Sequence, residues 1–416
     1  MRWITRPLLL VVSLTAAPVS AQTAWTAAST ADGAASQDAY RTGHGDVSFG
    51  GEVVATMGAA DDTAFFNYTD YERNALRTVR LALAGQWQPF APLAFVAELR
   101  SDDFAHVAAH ALYVRVRPWR SRAFDIQAGR IPPSFGAYAR RAYDTQTPLI
   151  GHPLAYQYLT SLRPDALPAT TDDLLRMRGR GWRSSFPVGS TAEGPGVPLV
   201  SALRWDTGVQ AKWAASRFDV MGSVTAGTLS DPRVDDNNGG RQLTIRGAVR
   251  PLFGLVVGAS AARGAWMADE VRPALPAQSR ERSFAQRAFG VDAEYSRDHW
   301  IARGELVWTG WTLPIATESP DHEVGALGMW VEGRYRVTPR LFVAARGDRL
   351  GFSRVAGTLF DGRPTPWDAR VERLEVGVGW FFLRNLVGRL ALQRNWRDGG
   401  RVSSRTFVAG GLVYWF

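Results

Sequence analysis

Segments of roughly ten residues in which apolar and polar side chains alternate recur along the sequence. In TVRLALAGQW, the side chains of Val79, Leu81 and Leu83 share one face, and Arg80 lies on the other. The segment RLEVGVGW, at residues 373–380, alternates in the same way. Alternation with period two is typical of β-strands with two different faces, whereas the period of an amphipathic helix is almost absent here. The pattern therefore predicts an all-β fold.

We expect sixteen strands with this pattern. A tilted strand needs about ten residues to cross a bilayer, so the segments have the length of membrane-spanning strands. Because lipid offers no water to bond the edge of an open sheet, spanning strands must close into a barrel. The predicted strands lie near residues 46–58, 76–88, 93–101, 107–117, 123–130, 198–213, 217–227, 241–250, 255–265, 286–296, 299–310, 324–337, 341–351, 369–382, 386–396 and 405–416.

The connections between these strands alternate between short and generally longer. Pro89–Pro92 and Arg297–Asp298 are short turns, whereas Thr228–Gly240 and Phe352–Asp368 are long polar loops. Ser101–His106 is the one short member of the second group. Outer-membrane barrels sort their connections in this way, with tight periplasmic turns and long external loops. The sequence thus predicts a transmembrane antiparallel β-barrel of about sixteen strands.

One connection, from residue 131 to about residue 197, is far longer than the others and would be the third external loop. A loop of this length is rare unless it has a function. Thr170–Met177 is typical of a short helix with a threonine cap and an acidic first turn. Gly179–Pro187 has the pattern of an extra strand, which we leave outside the wall because the barrel needs an even number. The sequence is compatible with a loop inside the pore and with an external lid or subunit latch.

If the loop folds inward, its first part supplies a constriction. The segment GRIPPSFGAYARRAYD, residues 129–144, follows the fifth strand, and its double proline stiffens the exit from that strand. Arg140 and Arg141 would then narrow the pore and favour anions. The predicted constriction residues are Arg130, Tyr138, Arg140, Arg141, Tyr143 and Asp144.

The first 21 residues have the pattern of a signal peptide. Arg2 and Arg6 form a positive n-region, Leu8–Leu14 is apolar, and small residues precede a cleavage site before Gln22. Residues 22–45 then form a short periplasmic segment, and residues 46–416 form the barrel. No other stretch supplies the roughly 18 consecutive apolar residues of a transmembrane helix. These features predict a protein of the cell outer membrane.

The sequence ends on a strand, AGGLVYWF, at residues 409–416. Leu412, Tyr414 and Phe416 alternate toward the predicted lipid face, and this strand would close the barrel against the first one. A terminal aromatic residue with another two positions earlier resembles the recognition signal read by the outer-membrane assembly machinery. Tyr414 and Phe416 therefore predict that machinery as a partner, and they place the short turns on the periplasmic side.

The composition excludes several classes of function. The chain has no cysteine, which excludes disulfides, thiol catalysis and zinc–thiolate sites. The chain has six histidines, but neither an HExxH nor a GxSxG motif occurs in the sequence. We therefore predict no enzyme, no bound metal and no cofactor. The net charge of +9 would suit nucleic acid, but arginines that alternate inside a barrel present no exposed helix or groove surface to it.

Arginine dominates the polar faces of the predicted strands. An arginine on the lipid face at mid-depth would cost about 2–4 kcal/mol, so these side chains are expected to face the lumen. Either they pair with inward carboxylates into a hydrated, neutral wall, or unpaired arginines make a net-positive pore that concentrates anions. The predicted pore-lining residues are Arg80, Arg100, Arg115, Arg117, Arg204, Arg246, Arg303, Arg334, Arg336, Arg346, Arg373 and Arg389.

The junction QAGRIPPSFG, Gln127–Gly136, resembles the strand-to-loop junction of the phosphate-selective porin O/P family. The ladder of inward arginines and the terminal Phe416 are similar as well. The resemblance implies a sixteen-stranded trimer, with loop three inside the barrel and an arginine ladder leading to a lysine-rich constriction. The lysine cluster has no counterpart here, since Lys212 is the only lysine. What the resemblance implies is therefore an anion-preferring porin without selectivity for phosphate.

Together these features predict an outer-membrane porin that lets small hydrophilic solutes, anionic or neutral, diffuse passively through an arginine-lined pore. Outer-membrane lipid would surround it, and a homotrimer is the assembly that the resemblance implies. The alternative is a non-conducting structural or adhesive barrel whose loops bind a partner. We predict no nucleic-acid partner.

Overall fold

Sixteen strands of the described chain form one antiparallel sheet that closes on itself. Each strand pairs with the strands before and after it, and the last pairs with the first, so that Val53 lies opposite Tyr414. The three-residue strand Tyr40–Thr42 extends the sheet beside the first strand. The predicted all-β barrel of sixteen strands is confirmed. We number the strands β1 Gly45–Gly58, β2 Val79–Phe90, β3 Leu93–Ser101, β4 Ala108–Val116, β5 Ala123–Ile131, β6 Asp206–Ala214, β7 Phe218–Thr225, β8 Gln242–Leu252, β9 Leu255–Ala265, β10 Ala285–Arg297, β11 Trp300–Thr312, β12 Glu323–Arg336, β13 Leu341–Phe352, β14 Val371–Leu383, β15 Leu386–Arg397 and β16 Ser404–Trp415.

The computed structural model describes residues 40–42, 45–59, 66–67, 77–102, 104, 106–119, 123–201, 205–275, 280, 283–314, 323–400 and 402–416. The predicted signal peptide, most of the predicted periplasmic segment and Arg204 lie outside the described residues. No helix in the described part of the chain has the length and apolar character needed to cross a membrane.

The two faces of the wall differ as the alternation predicts. On the outer face, Leu83, Val331 and Leu390 are exposed, whereas Arg80 and Arg373 on the inner face are buried. Exposed apolar side chains suit contact with hydrocarbon, whereas a charged side chain on that face would destabilise the barrel. Aromatic side chains lie on the outer face near the short turns, where interfacial girdles of membrane barrels are found: Trp87, Trp213, Trp300, Tyr335, Trp380, Tyr414 and Phe416.

The terminal residue takes part in barrel closure. The backbone N–H of Phe416 donates to the carbonyl of Gly51 at 3.1 Å, and the N–H of Gly51 donates to the carbonyl of Phe416 at 3.0 Å. The Phe416 ring covers Gly51 so closely that a Cβ at that glycine would lie 2.6 Å from the ring. Gly51 therefore leaves the space into which the final aromatic side chain packs at the seam.

Strand bounds agree closely with the alternation except at β6. The bounds of β3 and β9 are as predicted, but β6 begins at Asp206 rather than at residue 198. The physical reason is its partner, because β5 ends at Ile131, which pairs with Asp206. Residues 132–133 are both proline, and proline has no N–H to continue the ladder. The apolar residues before Asp206 therefore belong to the long loop.

The loop between β5 and β6, residues 132–205, carries the helices α1 Leu154–Gln157 and α2 Thr171–Arg176. The predicted threonine cap of α2 is confirmed, since Thr170 and Asp173 form a reciprocal capping box. The extra strand expected at 179–187 is not formed, and one isolated bridge holds this stretch. Smaller elements are the two-residue pairs Ala166–Leu167 with Val188–Gly189 and Arg354–Val355 with Thr365–Pro366, and the 3-10 turns Ala139–Arg141, Asp269–Ala274 and Phe360–Gly362.

The largest apolar core joins this loop to the inner face of the wall. Phe135, Tyr156 and Leu174 of the loop are buried in one cluster with Trp311 and Trp330 of the wall. A closed sheet of sixteen strands is too wide to be filled by its own side chains. The long loop supplies side chains that fill part of the interior.

Candidate functional site

Loop backbone amides donate hydrogen bonds to carboxylates on two separate strands of the inner wall. The N–H of Thr145 donates to Glu52 Oε2 on β1 at 2.9 Å. The N–H of Leu154 donates to Asp348 Oδ1 on β13 at 3.0 Å. Both carboxylates are buried. Residues 145 and 154 of the loop thus lie inside the barrel.

The junction after β5 turns the chain into the interior. Pairing stops at the two prolines of residues 132–133, and Gly136 follows with a φ of 68°, a conformation that favours glycine. Its N–H donates to Ser260 Oγ at 3.0 Å, and its carbonyl accepts from Arg246 Nε at 2.9 Å. A Cβ at Gly136 would lie 2.2 Å from Glu305 Oε1. This close approach to the wall explains why the junction needs glycine here.

Asp144 ties the loop to two arginines of the wall. Its Oδ2 accepts from Arg80 Nη1 at 2.7 Å, and its Oδ1 accepts from Arg389 Nη2 at 2.9 Å. Arg80 also pairs with Asp102, and Arg389 donates to the carbonyl of Thr147 at 2.7 Å. Burial alone would raise the pKa of Asp144, but the two arginines hold it below its usual value of 3.8. The carboxylate is therefore ionised at neutral pH.

A second buried network surrounds Arg346 on β13. Its guanidinium group pairs with Glu375 at 2.7 Å, with Asp348 at 3.2 Å and with Glu332 at 3.3 Å. The same group donates to the carbonyl of Gly151 in the loop at 2.7 Å. Three carboxylates around one buried cation make a closed ion-pair cluster. This part of the wall matches the expectation of mutually paired charges rather than of unpaired arginines.

Arg140 and Arg141 lie in the first part of the loop, in the short 3-10 turn. Arg141 Nη1 pairs with Glu294 of β10, and Arg303 Nε of β11 reaches the same carboxylate at 2.8 Å. All three side chains are partly exposed, between 15% and 22%. A cavity of about 20 Å³ adjoins them, bounded also by Tyr138. Here two cations share one carboxylate.

The neighbouring Arg140 has no carboxylate within 4 Å among the residues that the structure describes. Its Nε donates to the carbonyl of Pro133 at 2.8 Å, and its buried Nη2 has no hydrogen-bond partner. Burial and nearby arginines lower the pKa of Arg140 and of Arg141 to about 10. Both guanidinium groups therefore remain protonated at neutral pH, and this part of the interior carries excess positive charge.

The loop's buried tyrosines and histidine are neutral at physiological pH. Tyr143 donates to Glu98 Oε2 at 2.8 Å, and burial together with this carboxylate raises the pKa of Tyr143 well above its usual value. The Tyr138 hydroxyl lies 2.6 Å from His152 Nδ1. Burial and nearby Arg80 lower the pKa of His152 to about 3. These groups contribute packing and hydrogen bonds rather than charge.

Arg130 was expected in the constriction, and the structure corrects this. Arg130 lies opposite Leu112, which is 60% exposed on the outer face, and its Nε donates to the carbonyl of His110 at 3.0 Å. The reason is the pleat, because side chains two residues apart in a strand share a face. Arg130 belongs to the face of the exposed Ile126, and this parity was readable in the sequence.

The other predicted wall arginines differ in exposure. Arg303 and Arg336 are partly exposed, and Arg117 lies at a short turn, 3.5 Å from Asp125. Arg204 lies outside the described residues. The following are less than one-tenth exposed: Arg80, Arg100, Arg115, Arg246, Arg334, Arg346, Arg373 and Arg389. Most of the predicted arginines thus contact carboxylates or the loop rather than open water.

Sequence reasoning missed two of the carboxylates that hold the loop. Glu52 was not recognised, although its parity with the inward Ser48 and Val54 was available. Asp368, in the connection before β14, accepts from the N–H groups of Ser161 and Gly179, both at 2.7 Å. These partners are 207 and 189 residues away in the sequence, so no local pattern predicts them. Among the described residues, no group of three or more histidines or carboxylates is arranged to hold a metal ion.

No protein-family model matches the sequence, and no curated protein matches it either. The resemblance to the phosphate-selective porin O/P family therefore stays a hypothesis.

Solved outer-membrane proteins match the structure. OmpT of Vibrio cholerae, expressed in the outer membrane, aligns with a TM-score of 0.54 at 10% identity over 91% of this chain and 100% of its own. Salmonella typhi OmpF, in complex with daunomycin, aligns with a TM-score of 0.54 at 11% identity over the same shares. The outer membrane channel DcaP of Acinetobacter baumannii aligns with a TM-score of 0.51 at 10% identity over 91% of this chain and 99% of its own. The chain therefore shares the closed antiparallel barrel fold of these outer-membrane proteins.

Proposed function

We propose that the protein is a porin of the bacterial outer membrane through which small hydrophilic solutes diffuse passively, with a preference for anions. The solutes would be anionic or neutral, and no covalent step or cofactor is involved. The observation that carries the proposal is the pair Arg141 and Arg303, which share the carboxylate of Glu294 beside Arg140, for which the described residues supply no carboxylate.

Arg140, Arg141 and Arg303 place excess positive charge beside the loop. Arg140 and Arg141 keep their charge at neutral pH, since their pKa of about 10 lies well above it. Low-dielectric walls focus the field of an excess charge into an aqueous passage, and rings of arginine or lysine select anions in other pores. A solute that passes between the loop and β10–β11 would meet this field. The constriction would thus be arginine-based.

Outer-membrane lipid would cover the apolar outer face, and the assembly machinery would read Tyr414 and Phe416 at the seam. Residues 1–21 would be removed as a signal peptide, and 22–45 would lie in the periplasm. A homotrimer is an assembly to test, and one solved OmpT structure of Vibrio cholerae is described as a trimer form.

Reversal-potential measurements in planar bilayers test the anion preference. We expect Arg140→Glu with Arg141→Glu to shift the reversal potential toward cations, and the two glutamine substitutions to shift it less. The matched control is Arg176→Glu with Arg183→Glu, in the same loop, whose side chains are 58% and 57% exposed. An unchanged potential in the first variant, or an equal shift in the control, would contradict a passage beside Arg140 and Arg141.

One observation favours the alternative of a non-conducting structural or adhesive barrel. Loop groups between Ser134 and Gly179 are bonded to the wall or its connections, from Ser223 of β7 to Asp368 before β14. If these contacts leave no continuous aqueous passage, the external loops would be the functional surface. If correctly folded protein in a planar bilayer gives no measurable ion current, this second function is favoured.

A further inference from the structure

Two arginines face each other on the lipid-facing side of the barrel. Arg263 on β9 lies directly opposite Arg287 on β10. Both lie on the outer face, and both are exposed. Each lies two residues from the end of its strand at the rim that carries the long loops. In the proposed orientation this rim is at the outer leaflet.

Such a pair is unfavourable without a compensating anion. Like charges directly opposite on neighbouring strands destabilise a sheet. Among the described residues, one carboxylate lies near Arg287: Oε2 of Glu323 is 3.7 Å from its Nη1, and the Glu323 side chain passes over Gly310. Arg263 has no ion-pair or hydrogen-bond partner in the part of the chain that the structure describes. The cluster of Arg263, Arg287 and Glu323 therefore carries a net charge of +1.

Three other outward arginines at this rim each have a partner among the described residues. Arg349 and Arg370 lie 3.7 and 3.9 Å from the same Glu372. Arg394 donates to Thr406 Oγ1 at 2.6 Å, and its guanidinium carbon lies 5.7 Å from the centroid of the Trp396 ring. The pair of Arg263 and Arg287 thus differs from its neighbours in lacking a partner for one member.

An apolar surface continues from the pair toward the middle of the barrel. Phe289, two residues from Arg287, is 60% exposed on the same face. Its ring lies 5.8 Å from that of Trp308 on β11, with an angle of 31° between the planes. Ala261 lies opposite Phe289 on β9 and leaves room beside the ring. The surface therefore presents cations at the headgroup level and aromatic rings at the level of hydrocarbon.

From this combination we propose that Arg263 and Arg287 bind the phosphate of an anionic lipid in the outer leaflet, whose acyl chain packs on Phe289 and Trp308. Guanidinium groups form bidentate, charge-assisted hydrogen bonds with phosphate, so one phosphate would relieve the repulsion between the two arginines. The inference depends on the proposed membrane location and not on conduction. A barrel that conducts no ions leaves it intact.

Native mass spectrometry of the folded, detergent-solubilised protein tests the site with diphosphorylated lipid A as the probe. We expect Arg263→Ala with Arg287→Ala to weaken lipid A binding by about tenfold or more, because the variant loses both charge-assisted contacts with the phosphate. Arg297→Ala is the matched control, because Arg297 is an outward arginine, 65% exposed, at the opposite rim. The control should bind lipid A as the wild type does.

A second variant keeps the proposal testable if the double variant fails to fold. Glu323→Gln removes the competing carboxylate, and we expect it to bind lipid A more tightly than the wild type. Equal binding by wild type, double variant and Glu323→Gln would overturn the proposal. Competition by inorganic phosphate would also overturn it, because the site would then bind a soluble anion rather than a lipid.

Discussion

Asp144→Asn should release the long loop from the inner wall. The substitution keeps the shape of the side chain but removes the charge between Arg80 and Arg389, whose side chains are 5% and 1% exposed. Breaking a buried ion pair by removing one partner costs about 3–5 kcal/mol. Asparagine still offers one oxygen, and Arg80 keeps Asp102. The attachment of the loop to the wall should therefore weaken by the free energy of the lost charged hydrogen bonds, about 2–3 kcal/mol.

This loss sets the size of the expected effect. A change of about 2–3 kcal/mol raises the population of a displaced loop about 30- to 150-fold. Trypsin cleavage after Arg140 or Arg141 reports that population when opening and closing are fast relative to cleavage. The cleavage rate of folded Asp144→Asn, followed by mass spectrometry, should rise by the same factor over the wild type.

The control is Asp165→Asn, the same substitution in the same loop. Asp165 pairs with Arg163 at 2.6 Å, and both residues belong to the loop, so no anchor to the wall is lost. Cleavage after Arg140 or Arg141 should stay at the wild-type rate. An unchanged rate in Asp144→Asn, or an equal increase in Asp165→Asn, would refute the anchoring role of Asp144.

Three further outcomes are expected. The pKa of Asp144 lies below 3.8, so the ionised carboxylate stabilises the loop above that pH, and this stabilisation is lost only as the pH falls through the depressed pKa. Loop release, measured by a method that does not depend on trypsin, should therefore increase only in strong acid. Gly51→Ala, whose Cβ would lie 2.6 Å from the Phe416 ring, should lower the free energy of unfolding by about 1–3 kcal/mol in guanidinium titrations, whereas Gly247→Ala, with nothing within 4 Å, should not. Arg346→Leu leaves three buried carboxylates without their cation and should lower that free energy by about 3–5 kcal/mol, while an equal loss in the exposed Arg349→Leu would contradict the reasoning.

The wall of the barrel was predictable from the sequence because its physics is local. Alternation in a strand reports directly which side chain faces lipid, and it assigned Leu83 and Arg80 correctly. The strand bounds failed at β6, where apolar residues before Asp206 continue the alternation. What ends β6 is the end of its partner at Ile131, and pairing is not a local property of either segment.

The site inside the barrel was predictable only in part. Arg140, Arg141 and Asp144 were recognised as a group, but their partners lie on strands far away in sequence, such as Glu294 and Arg389. Which arginines are paired depends on where the loop lies inside the barrel, and the alternation of apolar and polar residues does not predict that position. The wrong prediction for Arg130 has a different cause, because a residue of the fifth strand was treated as part of the loop.

Ion conduction by the wild-type protein decides whether a continuous passage runs past the loop. Folded protein would be inserted into planar bilayers and recorded in symmetric and then asymmetric salt. A porin with its constriction at Arg140 and Arg141 should give discrete current steps and a reversal potential on the anion side. Folded, inserted protein without ion-sized steps would contradict conduction, and steps with a cation preference would contradict the arginine-based selectivity.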